Sequence, residues 1–147
     1  TALEAFVELS RKDAGQAGAT PNARILELAA LSLRGELLEA TGDLDGAIKA
    51  FETGVALEDL NNYTEPPDWP QPLRHYLGAA LLKANRAADA EAVYRRDLQW
   101  NHNNGWSLLG LQQALLAQGK TAAANIVKAD FDIAWQYSNI TLERSHL

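Results

Sequence analysis

Three stretches of this 147-residue chain carry a glycine at the same place inside an apolar run of helical period. They are Leu31-Ser-Leu-Arg-Gly35-Glu-Leu-Leu38, Arg74-His-Tyr-Leu-Gly78-Ala-Ala-Leu81 and Trp106-Ser-Leu-Leu-Gly110-Leu-Gln-Gln113. A glycine inside a helix costs about 1 kcal/mol relative to alanine. Its recurrence at matched positions therefore points to places where a second helix comes too close for a side chain. The residues after each glycine repeat as well. An alanine (Ala47, Ala90) and then an aromatic (Phe51, Tyr94) stand at equal distances after the first two, and in the third stretch Gly119 and Ala124 mark the same features with an offset of about two residues.

The apolar residues between these marks keep the period of a helix and nowhere alternate as a strand does. Leu44, Ala47, Ile48, Phe51 and Val55 form one stripe, Ala90, Val93, Tyr94 and Leu98 a second, and Ala124, Val127, Phe131, Ala134 and Trp135 a third. Thr20-Pro21 sets a capping hydroxyl before a proline at a first helical position. Gly42-Asp43 can end one helix and cap the next, Asn85 can take the left-handed conformation at a helix end, Asn103 or Asn104 can cap, and Gly119 with Thr121 gives another stop and start. The expected fold is all-α, with helices over about 2–12, 22–41, 44–59, 70–84, 87–100, 104–118 and 121–137 and a loop over 13–20.

The glycine, alanine and aromatic offsets resemble the tetratricopeptide repeat, whose pattern runs W-x2-L-G-x2-Y, then A, then F. Trp106 stands at the tryptophan of that pattern, and Asn103-Asn104 is similar to the loop that precedes it. The resemblance implies antiparallel helix-pair repeats forming a superhelix, about three repeats (22–59, 70–100 and 104–137) after an N-terminal helix, in a single domain over 1–147 that closes with a tail, 138–147. The chain departs from the pattern where the glycine spacing widens between 35 and 78, which maps to the insert 61–70, and where Arg34 and Gln113 replace Leu and Tyr. The run Glu65-Pro-Pro-Asp-Trp69 together with Asn103-Asn-Gly-Trp-Ser-Leu108 also resembles the carboxy-terminal region of large bacterial repeat proteins of mostly unassigned function. That likeness implies a bacterial source, in cytoplasm or periplasm, and a missing amino-terminal part. A first residue of Thr1 and the absence of methionine point the same way.

Composition narrows function further. A net charge of −6, a pI near 5.0 and thirteen scattered basic residues disfavour nucleic acid, which needs clustered cations. With no cysteine, disulfides, thiolate metal sites and cysteine nucleophiles are excluded. No apolar run approaches the length of a membrane helix, and no signal segment opens the chain, so a soluble protein is expected. His75, His102 and His146 lie far apart and lack i, i+4 partners, which disfavours a metal site. Ser32 and Ser107 lack the glycine-flanked elbow of a serine nucleophile, and the Glu36/Glu39 and Glu58/Asp59 pairs read as solvated helix faces. No phosphate-cradling or dinucleotide motif is present. Asn139-Ile-Thr141 matches a glycosylation acceptor, a short pattern common by chance. No catalysis and no cofactor are expected.

What remains is a surface. The resemblance implies that ligands lie against the first helix of each repeat, which makes Ser32, Glu36, Glu39, His75, Ala79, Lys83, Asn104, Ser107 and Leu111 the candidate groove residues. Ser32 and Glu36 do not match the family's clamp for chaperone tails. A mixed acidic and polar groove would suit a protein or peptide partner with some positive charge. Tyr63 and Trp69 on the proline-rich insert are candidate contacts, with a plain spacer as the alternative. The expected function is a protein-interaction or scaffolding module; the competing reading is a structural cap or self-association segment of a longer helical-repeat protein.

Overall fold

The structure is a computed structural model that describes residues 5, 8, 21–61 and 67–146. Among the described residues there are six helices and no strand: α1 (Pro21–Ala40), α2 (Leu44–Glu58), α3 (Leu73–Lys83), α4 (Ala87–Asp97), α5 (Gly105–Ala117) and α6 (Thr121–Trp135). The all-α expectation holds, and adjacent helices within each unit pack on one another. Apart from Ala5 and Glu8, the expected helix 2–12 and the loop 13–20 lie outside the described residues, as does Tyr63. No described helix is long and apolar enough to cross a membrane. The chain divides into two compact units, one ending at Leu73 and one beginning at Arg74.

In the first unit α1 and α2 form a hairpin. Its turn is built from residues that each meet one backbone need. Gly42 takes φ 89°, the left-handed region that a side chain resists, so the Asp43 N–H can return 2.9 Å to the Leu38 carbonyl and close α1. Asp43 then caps α2, its carboxylate accepting the Gly46 N–H at 2.9 Å. Between the helices the Phe51 ring lies directly against Gly35, where an added Cβ would overlap it. Phe51, Ala47 and Leu28 are wholly buried there; Phe51 alone contributes about 2–3 kcal/mol through burial. At the end of α2, Glu58 accepts the N–H of Leu73, the last residue of the unit, at 2.9 Å. Arg24 donates from α1 to the Leu60 carbonyl at 2.6 Å.

In the second unit the same device serves three helices. Tyr94 on α4 is wholly buried, and its ring fills the space above Gly78 on α3 and above Gly110 on α5. A Cβ at either glycine would collide with it. Ala90 and Ala124, the counterparts of Ala47 on α4 and α6, are also fully buried. A further aromatic, Trp135 on α6, covers Gly105 at the start of α5 and meets Trp106 edge-on at 5.8 Å between centroids. The ends of α3 and α5 repeat the α1 closure: Asn85 (φ 59°) and Gly119 (φ 73°) turn left-handed, and Arg86 N–H and Lys120 N–H return to Leu81 and Leu115 at 2.8 and 2.9 Å.

Several expected boundaries shift for local reasons. The third helix begins at Leu73, not 70, because proline disfavours the helical region in the residue before it and Pro72 follows Gln71. The fourth helix ends at Asp97, whose carbonyl accepts the Trp100 and Asn101 N–H groups in a turn. The last helix begins at Thr121, as expected, with Lys120 at its N-cap. Asn104 caps α5, accepting the Ser107 N–H at 3.2 Å.

Helix propensity alone says that Gly78→Ala or Gly110→Ala stabilises by about 1 kcal/mol. Overlap with a ring that has nowhere to move says the opposite, since overpacking costs about 1–3 kcal/mol. The expected outcome is a net loss of up to about 2 kcal/mol for each variant in urea unfolding, a sign that propensity by itself would reverse.

Candidate functional site

The carboxylate of Asp97 is the centre of a buried polar cluster in the second unit. It lies at the last residue of α4 and on the face that buries Ala90 and Tyr94, with 1% of its surface exposed. Ser107 in the first turn of α5 donates its hydroxyl to Oδ2 at 2.6 Å, and His75 on α3 brings Nε2 to the same oxygen at 3.2 Å. Asn101 donates to Oδ1 at 2.9 Å. Both oxygens are thus satisfied, which is the condition for keeping a charge inside a fold. Burial alone would raise the carboxyl of Asp97, but the hydrogen bond and electrostatic attraction of His75, with the bonds from Ser107 and Asn101, outweigh it and hold the group below the ordinary carboxylate range.

Serine, histidine and aspartate together invite comparison with an acyl-transfer triad, but the order differs. In a triad the imidazole sits between hydroxyl and carboxylate, so that it can take the hydroxyl proton. Here the carboxylate sits between, and both neighbours donate to it. His75 and Ser107 are 1% and 0% exposed, and His75 Nδ1 is buried with no hydrogen-bond partner. The geometry suits a clamp joining α3, α4 and α5, and offers no opening for a substrate at Ser107. Among the described residues no group of three or more His, Asp or Glu side chains is placed to hold a metal.

A second polar construction stands beside the first. The residues after α6 lack regular structure, yet Ser145 and His146 are 0% and 5% exposed. Ser145 donates its hydroxyl to the main-chain carbonyl of His75 at 2.8 Å. With that proton committed, the 2.6 Å contact between Tyr94 Oη and Ser145 Oγ has Tyr94 as the donor. Burial pushes the Tyr94 phenol well above its usual range, which keeps that proton in place. His146 stacks on Tyr76 of α3 with centroids 4.7 Å apart, and Gln113 of α5 donates to the Glu143 carbonyl at 2.9 Å. The segment 143–146 therefore lies across α3 and α5.

The expected groove residues divide accordingly. In the first unit Glu36 is exposed, Glu39 half-buried, and Ser32 buried with its hydroxyl 3.3 Å from Glu36 Oε1. In the second unit Lys83 is exposed and Ala79 half-buried, whereas His75, Ser107 and Leu111 are buried and present no open surface. Asn104 is half-buried and spent on its helix cap. The structure thus gathers His75, Asn104 and Ser107 into and around the Asp97 cluster and not onto a groove wall. Trp69 is half-buried, as a packed spacer residue would be. His146 is inside.

Two parts of the site are missing from the sequence-based expectation. Asp97 stands three and seven residues after Tyr94 and Ala90, so helical phase places it on the buried face, and that signal is present in the chain. Ser145 and His146 carry no periodic signal at all, because an irregular segment has none. No family model, no curated protein and no solved structure matches the chain.

Linkage gives the Asp97 cluster a pH signature. The folded state holds this carboxyl below its ordinary value, so its contribution is fully present above the unfolded pKa and is lost as pH falls through the folded one. Glu91, held by Lys120 at 2.7 Å and Arg95 at 2.8 Å and lowered to about 2, adds to the same acid limb. Asp97→Asn is expected to cost about 3 kcal/mol at pH 7. Urea midpoints measured from pH 7 to pH 3 should show the gap between wild type and variant narrowing below about pH 4; a gap independent of pH would refute the assignment.

Proposed function

We propose that the chain is a helical-repeat module of the tetratricopeptide type that binds a protein partner as an extended segment and carries no catalytic step of its own. The observation that supports this reading is the seat of residues 143–146. A stretch without regular structure lies across α3 and α5, and its contacts include the Glu143 carbonyl, the Ser145 hydroxyl and the His146 ring. Peptide recognition commonly combines main-chain hydrogen bonds for affinity with side-chain pockets for specificity. The matched closures at Gly42, Asn85 and Gly119 and the glycine–aromatic pairs support the repeat reading.

The net charge of −6 favours a segment bearing some positive charge. A library of displayed peptides panned against the chain should yield a saturable, basic binder. Its affinity is expected to fall about tenfold on Gln113→Ala or Tyr76→Ala, each the loss of one contact of the seat on α3 and α5. No binder, or binders indifferent to both substitutions, would defeat the proposal.

A competing reading as a self-association segment is supported by α6 and the residues just after it. Ile126, Ile133 and Tyr137 follow one another at helical spacing with 67%, 66% and 94% of their surface exposed. Under that reading the occupant of the stripe is a second copy of the chain. Sedimentation should then reveal a concentration-dependent dimer that Ile133→Glu abolishes, while a strict monomer at high concentration would dismiss it.

A further inference from the structure

We infer that residues 143–146 are a ligand held in cis: they occupy a docking site on α3 and α5 that takes a partner's extended segment in which a small hydroxyl residue is followed by a planar ring. The inference rests on the interaction reading above and goes further by naming what the site recognises and what controls access to it.

The contacts are separately placed. Gln113 reads a main-chain carbonyl, at Glu143, and so is blind to the side chain there. Two residues later the hydroxyl of Ser145 meets an acceptor and a donor together, the His75 carbonyl and the Tyr94 phenol. Only a group that both donates and accepts satisfies that pair, which selects serine or threonine over alanine. Next, Tyr76 offers its ring to a flat partner, met here by His146, and histidine, tyrosine or phenylalanine would stack in the same way. Between these points Glu143 and Arg144 are exposed; before them Leu142 is half-buried and residues 136–141 are exposed.

That pattern differs from a strand of core. The two buried side chains, Ser145 and His146, are carried by a short run in which Glu143 and Arg144 are exposed and which follows a half-buried Leu142, so the run can lift away while the glycine–aromatic packing of α3 to α6 stays intact. Tethering makes the cis segment a strong competitor, since a short linker supplies an effective concentration in the millimolar range. A partner binds when its affinity exceeds that competition, which makes the segment a threshold on binding.

The test uses the full chain and a fluorescent synthetic peptide of residues 138–146. Wild type should bind it weakly. The chain carrying Ser145→Ala and His146→Ala should bind it at least about tenfold more tightly, because the cis competitor has been disabled. A peptide with those same two substitutions should not bind either chain, and Tyr76→Ala should abolish the gain. Hydrogen exchange on wild type supplies a second reading: amides of 141–146 should exchange through openings that leave α3–α5 protected. Equal peptide binding by the two chains would overturn the inference. Loss of cooperative folding in the double variant, or exchange of 141–146 only by global unfolding, would overturn it too, by making the segment part of the core. If library peptides bind while the 138–146 peptide does not, the cis-ligand inference fails and the interaction module stands; if the double variant binds neither, both fail.

Discussion

The second unit depends on one ring set against the backbone of two glycines. Tyr94 is the largest of the fully buried side chains, and it lies against Gly78 on one helix and Gly110 on another. Removing two Cβ atoms lets three helices approach a single aromatic at once. Its contribution is therefore dispersion and burial concentrated where helix axes come nearest, which density close to that of an organic crystal makes intolerant of change. Phe51 performs the same office against Gly35 in the first unit. There the ring serves two helices and needs no polar handle.

The hydroxyl is what makes Tyr94 more than a larger Phe51. A buried phenol needs a partner, and Ser145 provides it while donating onward to the His75 carbonyl. The side chain of that same histidine turns to Asp97, which gathers Ser107 and Asn101 as well. Packing and polar satisfaction are in this way fastened to the same few residues. Polar clusters of this kind cost desolvation and contribute definition of register; a clamp joining α3, α4 and α5 fits that role, and its closed geometry separates it from a reacting triad.

How far the sequence can be read depends on which forces are local. Helical period and turn chemistry are local, so six helices, the left-handed Asn85, the Asp43 and Asn104 caps and the glycine–aromatic pairs are all legible. Boundaries slip where a neighbouring group decides them, as Pro72 does for the start of α3. The site is less legible. His75 and Ser107 occupy positions that a repeat pattern assigns to a groove, but burial is set by what packs above them. Asp97 can be found from its phase with Ala90 and Tyr94. The seating of Ser145 and His146 is fixed by partners some fifty to seventy residues away, and nothing in a run of mixed polar residues announces it.

The sharing of one ring by two glycines is open to direct observation in solution. A nuclear Overhauser spectrum should contain cross-peaks from the Tyr94 ring protons to the α-protons of both Gly78 and Gly110, and Tyr94→Leu should remove them. Cross-peaks to only one glycine, or to neither, in the folded wild-type chain would contradict it.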